Sequence, residues 1–168
     1  MKITKIVVGL STQDSLMEEA VVFPENIAML YGIDQSEEVY NFTNSKYKKY
    51  KNCKVFNTRI SNDSKSLKEF VEENNILQID SIHIDTEMRD IDVLATLQDK
   101  FSILENGELR CQPIDNPNSN INQNTYDECE KFLSSYGYYI HSINTSRDNE
   151  WCISFSKIKT IENESIGN

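Results

Sequence analysis

Residues 79–97, IDSIHIDTEMRDIDVLATL, constrain the fold of this chain more than any other stretch. Ile79, Ile82 and Ile84 form a short apolar run, two carboxylates follow at Asp85 and Glu87, and Ile91, Leu94 and Leu97 then recur at helical spacing. An apolar strand that ends in acids and runs straight into a helix is half of a βαβ unit. In open α/β sheets, ligands bind just beyond the carboxyl ends of the strands, where Asp85 and Glu87 fall. The same two acids would also suit a polar turn and the first turn of a helix, which the helix dipole favours. The residues alone leave both readings open.

The rest of the chain repeats the alternation of strand and helix. Residues 5–10 carry Ile6, Val7 and Val8 as a continuous apolar run, as in a central parallel strand covered on both faces, and Gly9 ends it. A polar loop over 11–15 leads to a helix over 15–23, with Ser15 and Glu18 as a capping box, Leu16, Ala20 and Phe23 as the buried stripe, and Pro24 as the stop. Strand, glycine, polar loop and helix together can cradle an anionic or nucleotide ligand, although a plain strand-to-helix turn reads the same way. A second strand over 27–33 ends at Asp34. An acid about twenty residues past the glycine turn is where nucleotide-binding folds hold a ribose. Asp34 or Ser36 would equally cap the next helix, over 38–50.

Residues 53–60 read as a third strand, 61–64 as a polar loop, and Ser66 with Glu69 as the capping box of a short helix whose inner face is Leu67, Phe70 and Val71. Residues 101–114 form one strand split by an Asn106-Gly107 turn, or a short hairpin. The Asn- and Pro-rich residues 115–124 form either a lid over the site or a surface loop. Thr125 and Glu128 cap a helix with Cys129, Phe132, Leu133 and Tyr136 inside and Gly137 as its stop. Residues 138–143 and 151–158 alternate in and out around a turn, which predicts a closing antiparallel hairpin. The reading is a single α/β domain over 1–160 with a mostly parallel central sheet, helices on both faces and a C-terminal antiparallel hairpin, then a tail over 161–168.

The formal charge of −10 on 168 residues opposes binding to a phosphate backbone, which needs a basic footprint. Residues 46–54, where Lys and Tyr alternate, are the local exception and read as a solvated helix face or a small basic-aromatic patch. Four widely spaced cysteines with no C-x-x-C pair, and only two histidines, predict buried free thiols and no zinc site. The chain opens directly on its first strand, without a signal-peptide pattern, and no apolar run reaches membrane-spanning length. These features predict a cytoplasmic protein with no membrane or nucleic-acid partner and no N-terminal segment over the site.

The runs SLKEFVEENNI (66–76), IDSIHIDTE (79–87) and Val93-Leu94 resemble the signature of FkbM-type methyltransferases, and Phe132-Leu133 to Gly137-Tyr138 is similar to that family's helix-Gly-Tyr-strand segment. The resemblance implies a Rossmann-like methyltransferase fold, S-adenosylmethionine as cofactor, and O-methylation of a small-molecule or glycan acceptor such as a sugar. It matches Gly9, Leu10, Ser11, Asp14 and Ser15 to the cofactor's loop, Asp34 to the ribose acid, Asn62 and Asp63 to the loop beside the adenine, and Asp85 and Glu87 to the acids at the fourth strand's tip. Glu87 is the first choice for a general base and Asp85 the second, with His83 deeper in the strand. Asp85 and Glu87 could also take a divalent cation, since hard cations bind carboxylates, but no third ligand is evident and no metal is expected. The chain departs from the family where Val7 replaces an Asp and where Gln13 and Met88 replace glycines. A non-catalytic binding or scaffold protein of the same fold is therefore the rival reading.

Overall fold

In the computed structural model, which describes residues 2–11, 16–87, 89–113, 123–147 and 150–158, seven strands join one sheet. In chain order they are β1 (Ile3–Val8), β2 (Ile27–Asp34), β3 (Cys53–Asn57), β4 (Ser81–Ile84), β5 (Asn106–Cys111), β6 (Tyr138–Arg147) and β7 (Glu150–Lys157). The helices are α1 (Glu19–Val22), α2 (Glu37–Tyr47), α3 (Leu67–Glu73), α4 (Asp90–Ala95) and α5 (Tyr126–Ser135). The strand order is β3-β2-β1-β4-β5-β7-β6. Strands β3, β2, β1, β4 and β5 pair in parallel, and β7 runs antiparallel to both β5 and β6. This is the α/β architecture predicted from the alternation, with its antiparallel hairpin at the C-terminal end.

Burial follows the apolar runs. Ile6, Val8, Ile33, Ile82 and Ile84 pack on one sheet face with Leu67 and Phe70 of α3, Leu94 of α4 and Leu133 of α5. Val7 and Leu30 face the other way, toward Met17, Ala20 and Tyr47. Both faces of β1 are thus covered, as its unbroken Ile-Val-Val run requires. From β1 the chain builds outward to β2 and β3, then returns to place β4 on the opposite side of β1. A crevice opens at the carboxyl ends of strands where the winding reverses in this way.

Several local expectations are corrected. The first helical segment begins as a 3-10 turn over Leu16–Glu18 and is short. Its tighter winding rotates the buried stripe, so Met17 is buried whereas Phe23 is 51% exposed. Asn106-Gly107 is no turn but the start of β5. A Cβ at Gly107 would stand 2.6 Å from Ile82 Cγ2, so glycine serves close packing against β4, and this tertiary contact overrides the dipeptide's turn preference. Of the two candidate caps for α2, Ser36 is used: its Oγ accepts from Val39 N at 3.3 Å.

The predicted capping boxes Ser66/Glu69 and Thr125/Glu128 both form, at α3 and α5. Hydrogen bonds from the capping residues hold the Glu69 and Glu128 carboxyls below the usual glutamate value of 4.5. Bonding to His83 does the same for Glu108, and bonding to Lys68 holds Asp99 below the usual aspartate value of 3.8. A carboxylate whose pKa falls on folding adds stability that is present above its unfolded value and lost as pH drops through its folded one. The melting temperature is therefore expected to decline steadily once pH falls below about 4.5, the region where these groups take up protons. Circular dichroism melts across that range check this, and a flat profile would contradict it.

Candidate functional site

Backbone pairing continues past the strand ends and holds four tips in register. Gly9 N–H donates to Ile33 O at 3.0 Å, Asp85 N–H to Val8 O at 2.9 Å, and Thr58 N–H to Asp34 O at 2.9 Å. These tips enclose a cavity of about 450 Å³, within the usual range for a small-molecule site. Val8, Gly9 and Leu10 line it below β1's end. Ile33 to Ser36 come from the end of β2 and the turn after it, Val39 from α2, Thr58 to Ile60 from the segment after β3, and Asp85 to Glu87 from the tip of β4.

Gly9 is the hinge of this wall. Its φ is +84°, and a Cβ there would lie 1.9 Å from the Asp85 carbonyl oxygen. Only glycine allows the β1 tip both the left-handed turn and the close approach of the β4 tip. Asp34 ties the β1 and β2 loops together, because Oδ2 accepts from Leu10 N–H at 2.8 Å and Oδ1 from Ser36 N–H at 2.7 Å. An ionised carboxylate has about four acceptor positions. These two bonds orient the group and leave it capacity for a vicinal diol in the cavity. Three carboxylates, Asp34, Asp85 and Glu87, line the cavity with one guanidinium, Arg59, so its field favours a cationic or hydroxylated ligand over an anion.

Behind the β4 tip lies a polar network. Arg110 of β5 reaches Asp85 Oδ1 with Nε at 2.9 Å, Asp90 Oδ2 at 3.3 Å, and Glu150 Oε1 with Nη1 at 3.2 Å. Asp90, the first residue of α4, is fully buried. Its Oδ1 accepts from Thr86 N–H at 3.1 Å and Thr86 Oγ1 at 3.0 Å, and its Oδ2 from Arg110 N–H at 3.0 Å. Burial raises the Asp90 pKa, and the Arg110 charge and these hydrogen bonds oppose that rise. His83, one pleat deeper in β4, pairs with Glu108 of β5 at 3.1 Å and does not line the cavity.

Of the residues singled out in the sequence, Gly9, Leu10, Asp34, Asp85 and Glu87 meet at the cavity. Ser11 is exposed and does not line it. Asn62 and Asp63 stand exposed at the apex of a tight turn closed by Ser61 N–H to Lys65 O and Ser64 N–H to Ser61 O, away from the lining. From this segment, Thr58, Arg59 and Ile60 line the cavity. Asp14 and Ser15 lie outside the described residues, as does most of the loop over 115–124. Sequence reasoning missed Arg59, Thr86, Asp90, Arg110 and Glu150. The one available signal was Arg110 itself, a charge between the buried Leu109 and Cys111 near a strand's carboxyl end.

The cysteines are free; Cys53, Cys111 and Cys129 are buried. Burial pushes the Cys53 thiol up to about 11, and the hydrogen bond with Cys111 pushes Cys129 up as well. Neither is suited to nucleophilic work near neutral pH. Among the described residues there is no group of three or more His, Cys, Asp or Glu side chains fit to hold a metal ion. No described helix is long and apolar enough to cross a membrane.

No family model matches the sequence, and a search of curated proteins finds no match. Solved structures do match. TrmK from M. capricolum, in complex with S-adenosyl-homocysteine, superposes with a TM-score of 0.64 at 17% identity, over 94% of this chain and 63% of that one. Magnesium protoporphyrin IX methyltransferase from Synechocystis PCC 6803, with bound SAM, gives 0.63 at 14% identity, over 94% of this chain and 71% of that one. A SAM dependent methyltransferase from Aquifex aeolicus gives 0.59 at 15% identity, over 93% and 82%. The fold is the Rossmann-like methyltransferase fold. At these identities the likeness concerns the fold alone, and this chain spans 63% of the length of TrmK.

The Rossmann-like methyltransferase fold puts the cavity at the reversal between β1 and β4. The residues there suit S-adenosylmethionine in two respects. Asp34 keeps acceptor positions for a ribose diol beside its two backbone bonds, and the carboxylate-rich lining complements a cationic sulfonium.

Proposed function

We propose that this protein is an S-adenosylmethionine-dependent methyltransferase of FkbM type, acting on the hydroxyl of a small acceptor such as a sugar. The observation that carries the reading is the convergence of Gly9, Asp34 and the Asp85–Glu87 tip on one cavity, at the switch point of a sheet in this strand order. Asp34 would hold the ribose diol with the acceptor positions its backbone bonds leave open. Gly9 and Leu10 would supply the close backbone wall. Arg59 and Ile60 would flank the base, in the place the sequence suggested for Asn62 and Asp63. The cofactor, when bound, supplies an electrophilic methyl group on sulfur.

The chain's own task is alignment and proton removal. Fixing two reactants in a reactive geometry can supply about 7–11 kcal/mol of a barrier. A base within reach of the acceptor hydroxyl adds typically ~10²–10⁴-fold. Glu87 takes that role: it lines the cavity on an exposed turn at the tip of β4, where a carboxylate can reach an acceptor that enters from solvent. The acidic lining and the net charge of −10 favour a neutral or cationic acceptor over a nucleic acid.

Calorimetry with S-adenosylhomocysteine tests the reading, with binding in the micromolar range as the expected result. Asp34→Ala should weaken it by about 10–100-fold, since a hydrogen bond to a charged group is worth about 1.5–3 kcal/mol. Glu87→Gln should leave binding intact and slow methyl transfer. Absence of heat at millimolar ligand would sink the proposal and leave a scaffold protein.

A further inference from the structure

At the tip of β4, the Asp85 carboxylate is met by a guanidinium from the neighbouring strand. Arg110, the penultimate residue of β5, faces carboxylates from three separate elements: Asp85 after β4, Asp90 of α4 and Glu150 of β7. Its side chain is 16% exposed, against 0% for Asp90, 15% for Glu150 and 35% for Asp85. Its backbone N–H donates to the same Asp90 oxygen that its Nε approaches. The other Asp90 oxygen receives both the amide and the hydroxyl of Thr86, a cavity residue. Gln123 closes the network, with Oε1 accepting from Asp90 N–H at 3.1 Å.

We propose that Arg110 is a positioning residue that sets the β4 wall of the cavity, holding the Asp85 carboxylate directly and the Thr86-Glu87 turn through Asp90. Its bearing on the ligand rests on the methyltransferase reading above; the holding of the turn does not. The guanidinium is a rigid planar fork of five N–H donors, and here it spans acids that approach from β4, α4 and β7. A lysine ammonium is a compact charge on a flexible stem. It would keep the net charge and the fold but could not bridge all three carboxylates in this geometry. Arg110→Lys therefore separates positioning from mere neutralisation.

Two measurements on the full chain test this. Hydrogen exchange of Arg110→Lys without ligand should show the Thr86 amide opening about tenfold faster, a coupling of the size found within one polar network, with the β1 amides unchanged. Calorimetry with S-adenosylhomocysteine should show Arg110→Lys weakening binding by about tenfold in the parent background and much less in Asp85→Asn, because coupled residues are non-additive. Unchanged Thr86 exchange would overturn the inference. Equal acceleration of Thr86 and β1 would overturn it too, since Arg110 would then be a general stabiliser. If the parent chain binds no S-adenosylhomocysteine, the methyltransferase reading fails, and the Thr86 exchange still decides the positioning role.

Discussion

Replacing Gly9 by alanine is expected to destabilise the protein by about 2–5 kcal/mol and to abolish the S-adenosylhomocysteine binding proposed above. Two costs combine in that range: about 1–2 kcal/mol for a left-handed L-residue and about 1–3 kcal/mol for forcing a carbon into a filled space. The first arises because Gly9 has φ +84°. The second arises because the new Cβ would sit 1.9 Å from the Asp85 carbonyl oxygen and 3.3 Å from Thr86 Cγ2. The obstacle is backbone, which cannot rotate away as a flexible side chain can, so the β1 and β4 tips must separate. That separation distorts the Asp85–Glu87 wall as well as the glycine turn, which couples the loss of stability to the loss of the site. Against a total stability of about 5–15 kcal/mol the change is large. Urea unfolding with parallel calorimetry measures both parts. An alanine variant within about 0.5 kcal/mol of the parent, the usual size of a neutral surface change, would contradict the geometry of this turn.

Asp90→Ala is expected to cost about 3–5 kcal/mol, the range for removing one partner of a buried charged cluster. Asp90 is fully buried and accepts from Thr86 N–H, Thr86 Oγ1, Arg110 N–H and Arg110 Nε. Alanine removes this acceptor from the Thr86 and Arg110 amides and leaves Arg110 Nε with Asp85 alone, and each buried group left unsatisfied costs about 1–3 kcal/mol. Asp90→Asn keeps the shape and one acceptor oxygen and should lose less. The pH dependence adds a sign. Burial raises the folded-state pKa of Asp90, so its contribution becomes less favourable as pH rises from the unfolded value through the folded one, opposite in sense to the capping glutamates. The deficit of Asp90→Asn relative to the parent should therefore be largest at the acid end of that window. Denaturant titrations at acid and neutral pH check both statements, and an alanine variant of parental stability would show that desolvation of the acid had cancelled all its bonds.

Much of the fold was legible because it is encoded locally. The apolar stretches at 6–8 and 27–33, and the isoleucines at 79, 82 and 84, identify buried strands, and the boxes at Ser66/Glu69 and Thr125/Glu128 form as their spacing dictates. A string of βα units has few parallel solutions, so the fold class followed from periodicity, caps and stops. The meeting of Gly9, Asp34 and Glu87 was legible for the same reason, since parallel neighbours present their carboxyl ends on one side.

What sequence by itself determined, then, was which segments are strands and helices, and which residues stand at the strand tips. Only the tertiary structure decided which tips touch. It placed Asn106-Gly107 within a strand because Gly107 must pass close to Ile82. It turned Asn62 and Asp63 outward and brought Thr58, Arg59 and Ile60 to the cavity. It also chose Asp85, Asp90 and Glu150 as the partners of Arg110, across 25, 20 and 40 residues of chain. Local propensities act over a few residues, whereas the partner of a buried charge is set by which strand ends become neighbours when the whole sheet closes.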